Sequence, residues 1–99
     1  MTINVQYVHM DVSQAMNDYV NQKLQKLNRK FDWIISADVR FEKENDPTGK
    51  GKICKMELSL PGPRIFAVSN ETTFENAVKN TIKDLDVQLE KRKQIFVRH

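Results

Sequence analysis

Three lysines in the N-terminal third of the chain have a spacing that could bind phosphate. Lys23, Lys26 and Lys30 are three and four residues apart. On an α-helix, at about 100° per residue, they would therefore lie within roughly 60° of one another. Ammonium groups clustered in this way can pair with phosphates and release the counterions of a nucleic acid. The competing interpretation is a solvated helix flank, whose cations favour the negative end of the helix dipole.

A second group of cations lies near the C-terminus, at Lys91, Arg92 and Lys93. Residues 71–90 contain five acids and two lysines, so the charge changes sign abruptly at residue 91. The helix dipole again accounts for cations at such a position. It does not account for two clusters on two separate helices. Together they indicate a surface that binds folded RNA through its shape and backbone, since the pattern lacks the aromatic residues of a base-stacking platform.

No arrangement of residues suited to catalysis or metal binding is evident in the sequence. His9 and His99 lie at opposite ends of the chain, the three glycines fall in predicted turns, and the carboxylates are scattered. Cys54 lies among residues predicted to face inward, so a buried thiol is favoured over a nucleophile. A lone cysteine also excludes an internal disulfide and fits a reducing cytoplasm. We therefore predict a cytoplasmic protein that is not an enzyme and needs no cofactor or metal.

Length and composition indicate one soluble globular domain over residues 1–99. The chain is 39% hydrophobic and 29% charged, with a formal net charge of +3, and these proportions are typical of a folded domain rather than a disordered segment. No apolar run is long enough to span a membrane, and the N-terminus lacks the pattern of a signal peptide. A membrane partner is therefore not expected.

Hydrophobic periodicity predicts six elements in the order β-α-β-β-β-α. Alternating residues indicate strands at 2–8, 34–44, 52–60 and 64–70, and a period of 3.6 indicates helices over 13–31 and from about 73 to 96. The first helix has Asp11 or Ser13 as its N-cap. The second begins either with a capping box of Thr72 and Glu75 or with Thr73 as the cap.

The order of these elements predicts a two-layer α+β sandwich. Short turns join the last three strands, so we expect an antiparallel meander and one antiparallel four-stranded sheet with both helices packed on its apolar face. Ile35, Ala37, Val39 and Phe41 should face the helices, whereas the face of strand 64–70 is ambiguous. If the helices lie side by side, their basic ends would form one continuous surface.

Two stretches of the chain resemble a known protein family in this same order of elements. VSQAMNDYVNQKLQKLNRKFDWI and IFAVSNETTFENAVKNTIKDLDVQLEKRK are similar to the short ribosome hibernation-promoting and ribosome-associated translation inhibitor family, also called sigma-factor modulation proteins. The resemblance covers nearly the whole chain. Its most specific pieces are K-x-x-K-L followed by F-D, and Q-L-x-K-x-K, at Lys23, Lys26, Leu27, Phe31, Asp32, Gln88, Leu89, Lys91 and Lys93.

The resemblance implies a fold like that of the double-stranded RNA-binding domain and a partner, the small ribosomal subunit with its ribosomal RNA. Such a protein would occupy the channel of messenger and transfer RNA, block their placement and silence translation under stress or in stationary phase. The residues carried over as RNA-binding are Lys23, Lys26, Lys91 and Lys93. Helix geometry adds Lys30 and Arg92 to them.

The second helix departs from the family pattern in its charges. Family members usually have an acid at the positions of Lys79 and Lys83, a lysine at that of Asp84 and an arginine at that of Val87. Long members also add a C-terminal dimerisation domain, which we do not expect in this chain. Ribosome dimerisation driven by this chain itself is therefore not expected.

A protein-binding modulator of a transcription sigma factor is the alternative function. It would need an exposed apolar patch, for which the candidates are strand 64–70 and the segment Ile95-Phe96-Val97. The helical spacing from Leu89 to Phe96 favours instead a last helical turn in which Ile95 and Phe96 pack on the core.

Overall fold

The chain forms six elements of secondary structure in the predicted order. In the computed structural model, the backbone of residues 1–97 and the side chains of residues 1–95 are described. The elements are β1 (Thr2–Val8), α1 (Gln14–Lys30), β2 (Ser36–Lys43), β3 (Lys52–Ser59), β4 (Ile65–Glu71) and α2 (Phe74–Val97). None of the helices in this part of the chain is both long and apolar enough to cross a membrane.

The four strands form one mixed sheet in the order β1-β2-β3-β4. The meander of β2, β3 and β4 is antiparallel as predicted, but β1 pairs parallel with β2, with Val5 opposite Val39. The prediction of a wholly antiparallel sheet is therefore wrong at β1. The reason is that α1 is a crossover, which carries the chain back to the end of the sheet where β1 began, so that β2 starts in the same direction.

The core lies between the inner face of the sheet and the two helices, which confirms the two-layer α+β fold. Phe41 in β2 is fully buried in this core, and the centroid of its ring lies 5.4 Å from that of Tyr7 and 5.6 Å from that of Phe74. The helices contribute the buried residues Val20, Leu24, Leu27, Ala77, Val78, Leu85 and Leu89. Burial of this apolar side of each helix determines which side of it remains open to a ligand.

The structure corrects one predicted strand face and resolves another that the sequence left ambiguous. Ile35 was predicted to face the core, but it precedes β2 and is 57% exposed, while its neighbour Ile34 is buried. In β4, Ile65 and Ala67 point inward under α2, whereas Phe66 points outward and is 57% exposed. Val68 is exposed on the same outer face, which elsewhere carries polar residues and charges of both signs, as predicted.

Both helices begin at a hydroxyl residue that accepts a hydrogen bond from the first turn. Ser13 Oγ accepts from the Met16 N–H at 3.2 Å, which selects Ser13 over Asp11. Thr73 Oγ1 accepts from the Asn76 N–H at 3.1 Å. The capping box of Thr72 with Glu75 is therefore wrong, because the helix begins one residue later than that box requires.

We expect Thr73→Ala to lower the free energy of unfolding by about 1 kcal/mol, the usual cost of losing an N-cap hydroxyl. Thr72→Ala is the matched control, since Thr72 is exposed and lies outside the cap; its effect should stay below about 0.5 kcal/mol. Urea denaturation followed by circular dichroism measures both. Equal losses for the two variants would contradict the assignment of the cap.

Candidate nucleic-acid interface

A groove runs between α1 and α2 on the side of the helices that faces away from the sheet. The strands that precede the helices, β1 and β4, run in the same direction, and each helix returns across the same face of the sheet. The two helices are therefore parallel to each other. The groove between them encloses about 500 Å³. We call it the interhelical groove, and its lining residues are Lys23, Lys26, Leu27, Lys30, Lys79, Ile82, Lys83, Asp86 and Val87.

The α1 wall of the groove carries the three lysines predicted from their spacing. Lys23, Lys26 and Lys30 all line the groove, beside the buried Leu27 that anchors this part of the helix to the core. The Lys23 ammonium lies 5.5 Å from the centroid of the Tyr19 ring. At this distance the ring attracts the ammonium by a cation–π interaction.

The α2 wall contributes two lysines that the sequence interpretation did not assign to the site. Lys79 and Lys83 are exposed and face the α1 lysines across the groove. They were overlooked because residues 71–90 are acidic when they are counted along the chain. Their i, i+4 spacing is the signal that could have found them, since it puts both on one side of α2, whereas the adjacent Asp84 lies about 100° from Lys83.

The groove has a strong excess of positive charge, and one of its cations is neutralised. Lys30 Nζ lies 2.9 Å from Asp86 Oδ1 and 3.6 Å from Glu90 Oε1. The hydrogen bond to Asp86 is the main cause of a raised pKa of the Lys30 ammonium. The other four lysines have no ion-pair partner among the residues described. Four ammonium groups therefore remain available to an anion.

Arg92, a predicted RNA-binding residue, is engaged within the protein. Its Nη1 donates to the Pro61 carbonyl at 3.0 Å and its Nη2 donates to the Pro63 carbonyl at 2.9 Å. The guanidinium lies against Gly62, which has a φ of +89° and where a Cβ would come within 3.1 Å of Nη1. Arg92 thus anchors the C-terminal part of α2 to the turn between β3 and β4. We therefore do not expect it to contact RNA.

Lys91 and Lys93 are exposed on the last turns of α2 but do not face the same way. Residues two positions apart on a helix differ in direction by about 200° around its axis, so these lysines point to nearly opposite sides. Lys93 lies seven residues after Asp86 and so falls within roughly 20° of it, on the groove side. Asp86 and Glu90 separate Lys93 from the groove lysines, so the predicted continuous basic surface is interrupted.

Cys54 is buried and unsuited to nucleophilic chemistry. Burial raises the pKa of its thiol to about 12. The Thr81 hydroxyl, which is also buried, can donate a hydrogen bond to either of two carbonyl oxygens. Its Oγ1 lies 2.7 Å from that of Ala77 and 3.3 Å from that of Cys54. Within residues 1–97 the structure has no group of three or more potential metal ligands; His9 is exposed, and His99 lies outside the described residues.

We expect the Cys54 thiol of the native chain to resist a thiol reagent at neutral pH and to react fully once urea has unfolded the chain. The raised pKa of the thiol also predicts how the stability of the fold depends on pH. The folded state favours the neutral thiol, so stability is lost as the pH rises above about 8.5, where the unfolded thiol ionises. Wild type should therefore lose stability relative to Cys54→Ala above that pH. Rapid labelling of the native chain would contradict burial of the thiol.

The apolar surface needed for the alternative function is present in part. Phe66 and Val68 are exposed on the outer face of β4, an edge strand. Ile95, in the last turns of α2, is 55% exposed, so its predicted packing on the core is wrong. The side chains of Phe96 and Val97, the other candidates, lie outside the described residues.

The fold and the groove together define the class: a small α+β domain that gathers lysines from two helices into one exposed, positively charged groove. The chain belongs to the family described as sigma 54 modulation protein / S30EA ribosomal protein, whose model matches residues 3–95. This family consists of ribosome hibernation factors, which are not enzymes. The resemblance seen in the sequence and the prediction of a non-enzymatic protein are thereby confirmed.

Individual relatives cover almost all of the chain. It is 28% identical to a ribosome hibernation promoting factor of Pseudomonas putida, over 95% of this chain and 88% of that protein. It is 32% identical to one from Azotobacter vinelandii, over 95% and 84%. A ribosome hibernation promotion factor of Bacillus subtilis is 31% identical over 94% of this chain but 49% of that protein.

Two solved structures have the same fold. A ribosomal subunit interface protein from Coxiella burnetii superimposes with a TM-score of 0.82 at 26% identity, over 95% of this chain and 99% of that one. The N-terminal domain of Thermus thermophilus Protein Y gives 0.79 at 22% identity, over 92% and 98%. Because the second identity is low, that similarity is evidence for the fold alone.

Proposed function

We propose that this protein is a ribosome hibernation factor that binds the small ribosomal subunit through ribosomal RNA. The observation that carries the proposal is the interhelical groove, in which four lysines from two helices lack acidic partners among the described residues. Family membership supports the ribosome as the partner. Residues 1–99 would act as a single ribosome-binding domain in the cytoplasm.

The groove suits contact with an RNA backbone rather than with base edges. Lys23, Lys26, Lys79 and Lys83 offer point charges to phosphates, and neutralising these charges releases counterions. The apolar side chains that line the groove belong to Leu27, Ile82 and Val87, and they have no hydrogen-bonding groups with which to read bases. Recognition would follow the shape of folded RNA, with Lys91 and Lys93 making separate contacts beyond the end of α1.

Bound in the channel of messenger and transfer RNA, the domain would exclude both by occupying their space. This mode of action is the one that the family resemblance implies, and it needs no chemistry from the protein. It agrees with a Cys54 thiol that burial keeps neutral and with the absence of a metal-ligand cluster in the described residues.

Co-sedimentation with small ribosomal subunits across a salt series tests the proposal. The logarithm of the binding constant should fall against the logarithm of the salt concentration, and the four groove contacts alone should contribute a slope of about −3 to −4. Lys23→Glu with Lys26→Glu should weaken binding strongly while leaving the melting temperature nearly unchanged, because both side chains reach solvent. Absence of binding at low salt, or affinity independent of salt, would refute it.

Modulation of a sigma factor through protein contacts is a second candidate, favoured by the exposed Phe66 and Val68 on the edge strand β4. Capture of partners from a nuclease-treated lysate separates the two functions. Loss of captured material after nuclease treatment supports RNA binding. Retention of a sigma factor that is then lost in a Phe66→Ser variant supports the second candidate.

A further inference from the structure

Two acids interrupt the basic surface at the place where α1 ends. Asp86 is the one carboxylate among the described residues that line the interhelical groove, and Glu90 follows it one turn later on the same side of α2. Both contact the Lys30 ammonium, at 2.9 Å and 3.6 Å. These acids remove Lys30 from the set of available cations and place negative charge within the basic surface.

The position of the acids divides the surface into two parts. Lys79 and Lys83 precede them on α2, and Lys93 follows them on the same side of the helix. The ten residues from Lys83 to Lys93 rise by roughly 15 Å along the helix axis. A phosphate backbone that ran continuously along this side of α2 would therefore pass over Asp86 and Glu90 and be repelled there.

The Lys30 ion pair does not shield the acids completely. The side chains of Lys30, Asp86 and Glu90 are 50%, 32% and 42% exposed, so each remains accessible to an approaching phosphate. A phosphate that took Lys30 away from Asp86 would leave that carboxylate without its partner beside a second anion. An RNA that presents two separated phosphate tracks avoids this encounter, whereas a flexible single strand lying along α2 does not.

We propose that Asp86 and Glu90 are specificity-determining residues, which weaken the binding of unstructured single-stranded RNA and thereby favour folded RNA with separated phosphate tracks. The inference rests on the proposed function of the groove. Its physical basis is discrimination by repulsion, in which a like charge is placed where the unwanted ligand would bind. Lys93 and the groove lysines supply the attraction on either side.

The test compares Asp86→Asn with Asp84→Asn, which changes the net charge by the same amount. Asp84 accepts a hydrogen bond from Gln88 and lies outside the groove lining. Binding of a uridine oligonucleotide is measured by fluorescence anisotropy at about 0.1 M salt. We expect Asp86→Asn to tighten it by about three- to tenfold and Asp84→Asn by less than about twofold. Adding Glu90→Gln to Asp86→Asn should tighten it further.

Binding of the same variants to small ribosomal subunits supplies the second arm, and we expect it to change by less than about threefold for Asp86→Asn. The preference for the subunit over the oligonucleotide should therefore fall. Unchanged or weaker oligonucleotide binding by Asp86→Asn, or equal tightening by Asp84→Asn, would overturn the inference. If the wild type failed to bind subunits, the proposed function would fall, while the oligonucleotide comparison would still decide whether Asp86 repels a single strand.

Discussion

The variant Lys79→Glu with Lys83→Glu should bind small ribosomal subunits at least about a hundredfold more weakly than the wild type. Each charge reversal replaces an attraction to phosphate with a repulsion, which should lower the affinity about tenfold or more. Both lysines are exposed and lack an ion-pair partner among the described residues. Their reversal therefore removes phosphate contacts without unpairing an acid. The resemblance in the sequence implies an acid at these positions in the family, so this experiment also tests whether the chain has its own arrangement of RNA contacts.

The matched control for this variant is Lys43→Glu with Lys50→Glu. These lysines are also exposed, and they lie at the end of β2 and in the loop before β3, outside the groove lining. The change in net charge is the same, so a loss of similar size in the control would show that binding depends on overall charge. Full affinity of the Lys79, Lys83 variant would show that the groove is not the RNA site. Circular dichroism verifies that each variant is folded.

Phe41→Ala should cost about 3–5 kcal/mol of stability, the largest effect that we expect from a single substitution in this chain. Phe41 is fully buried where the sheet meets the N-terminal end of α2, and its ring contacts those of Tyr7 and Phe74. Truncation removes buried apolar surface and leaves a cavity that the neighbouring strands cannot close. The free energy of unfolding in urea measures the loss.

Phe66→Ala provides the same chemical change at a different burial. Phe66 is 57% exposed on the outer face of β4, so its truncation should cost less than about 1 kcal/mol. A small loss for Phe41→Ala would contradict the core described here. A loss for Phe66→Ala as large as that for Phe41→Ala would indicate that the outer face of the sheet is covered by an interaction in solution.

The order and type of the elements could be predicted because they depend on neighbouring residues. The alternation in β3 and the helical period of Val20, Leu24 and Leu27 are local properties, and the structure has them as expected. The predictions that were wrong concern features that the local sequence pattern does not determine. The parallel pairing of β1 depends on the crossover by α1. Ile35 is exposed because it precedes β2, so that the alternation of the strand, which begins at Ser36, does not include it.

The candidate site divides along the same line. The spacing of Lys23, Lys26 and Lys30 on one helix determined by itself that they share a side, because the angle between residues of a helix is constant. The tertiary structure decided that Lys79 and Lys83 face them and that Asp86 pairs with Lys30. These relations depend on how far α2 is displaced along α1. That displacement is set by packing of both helices on the sheet, which no local pattern of charges encodes.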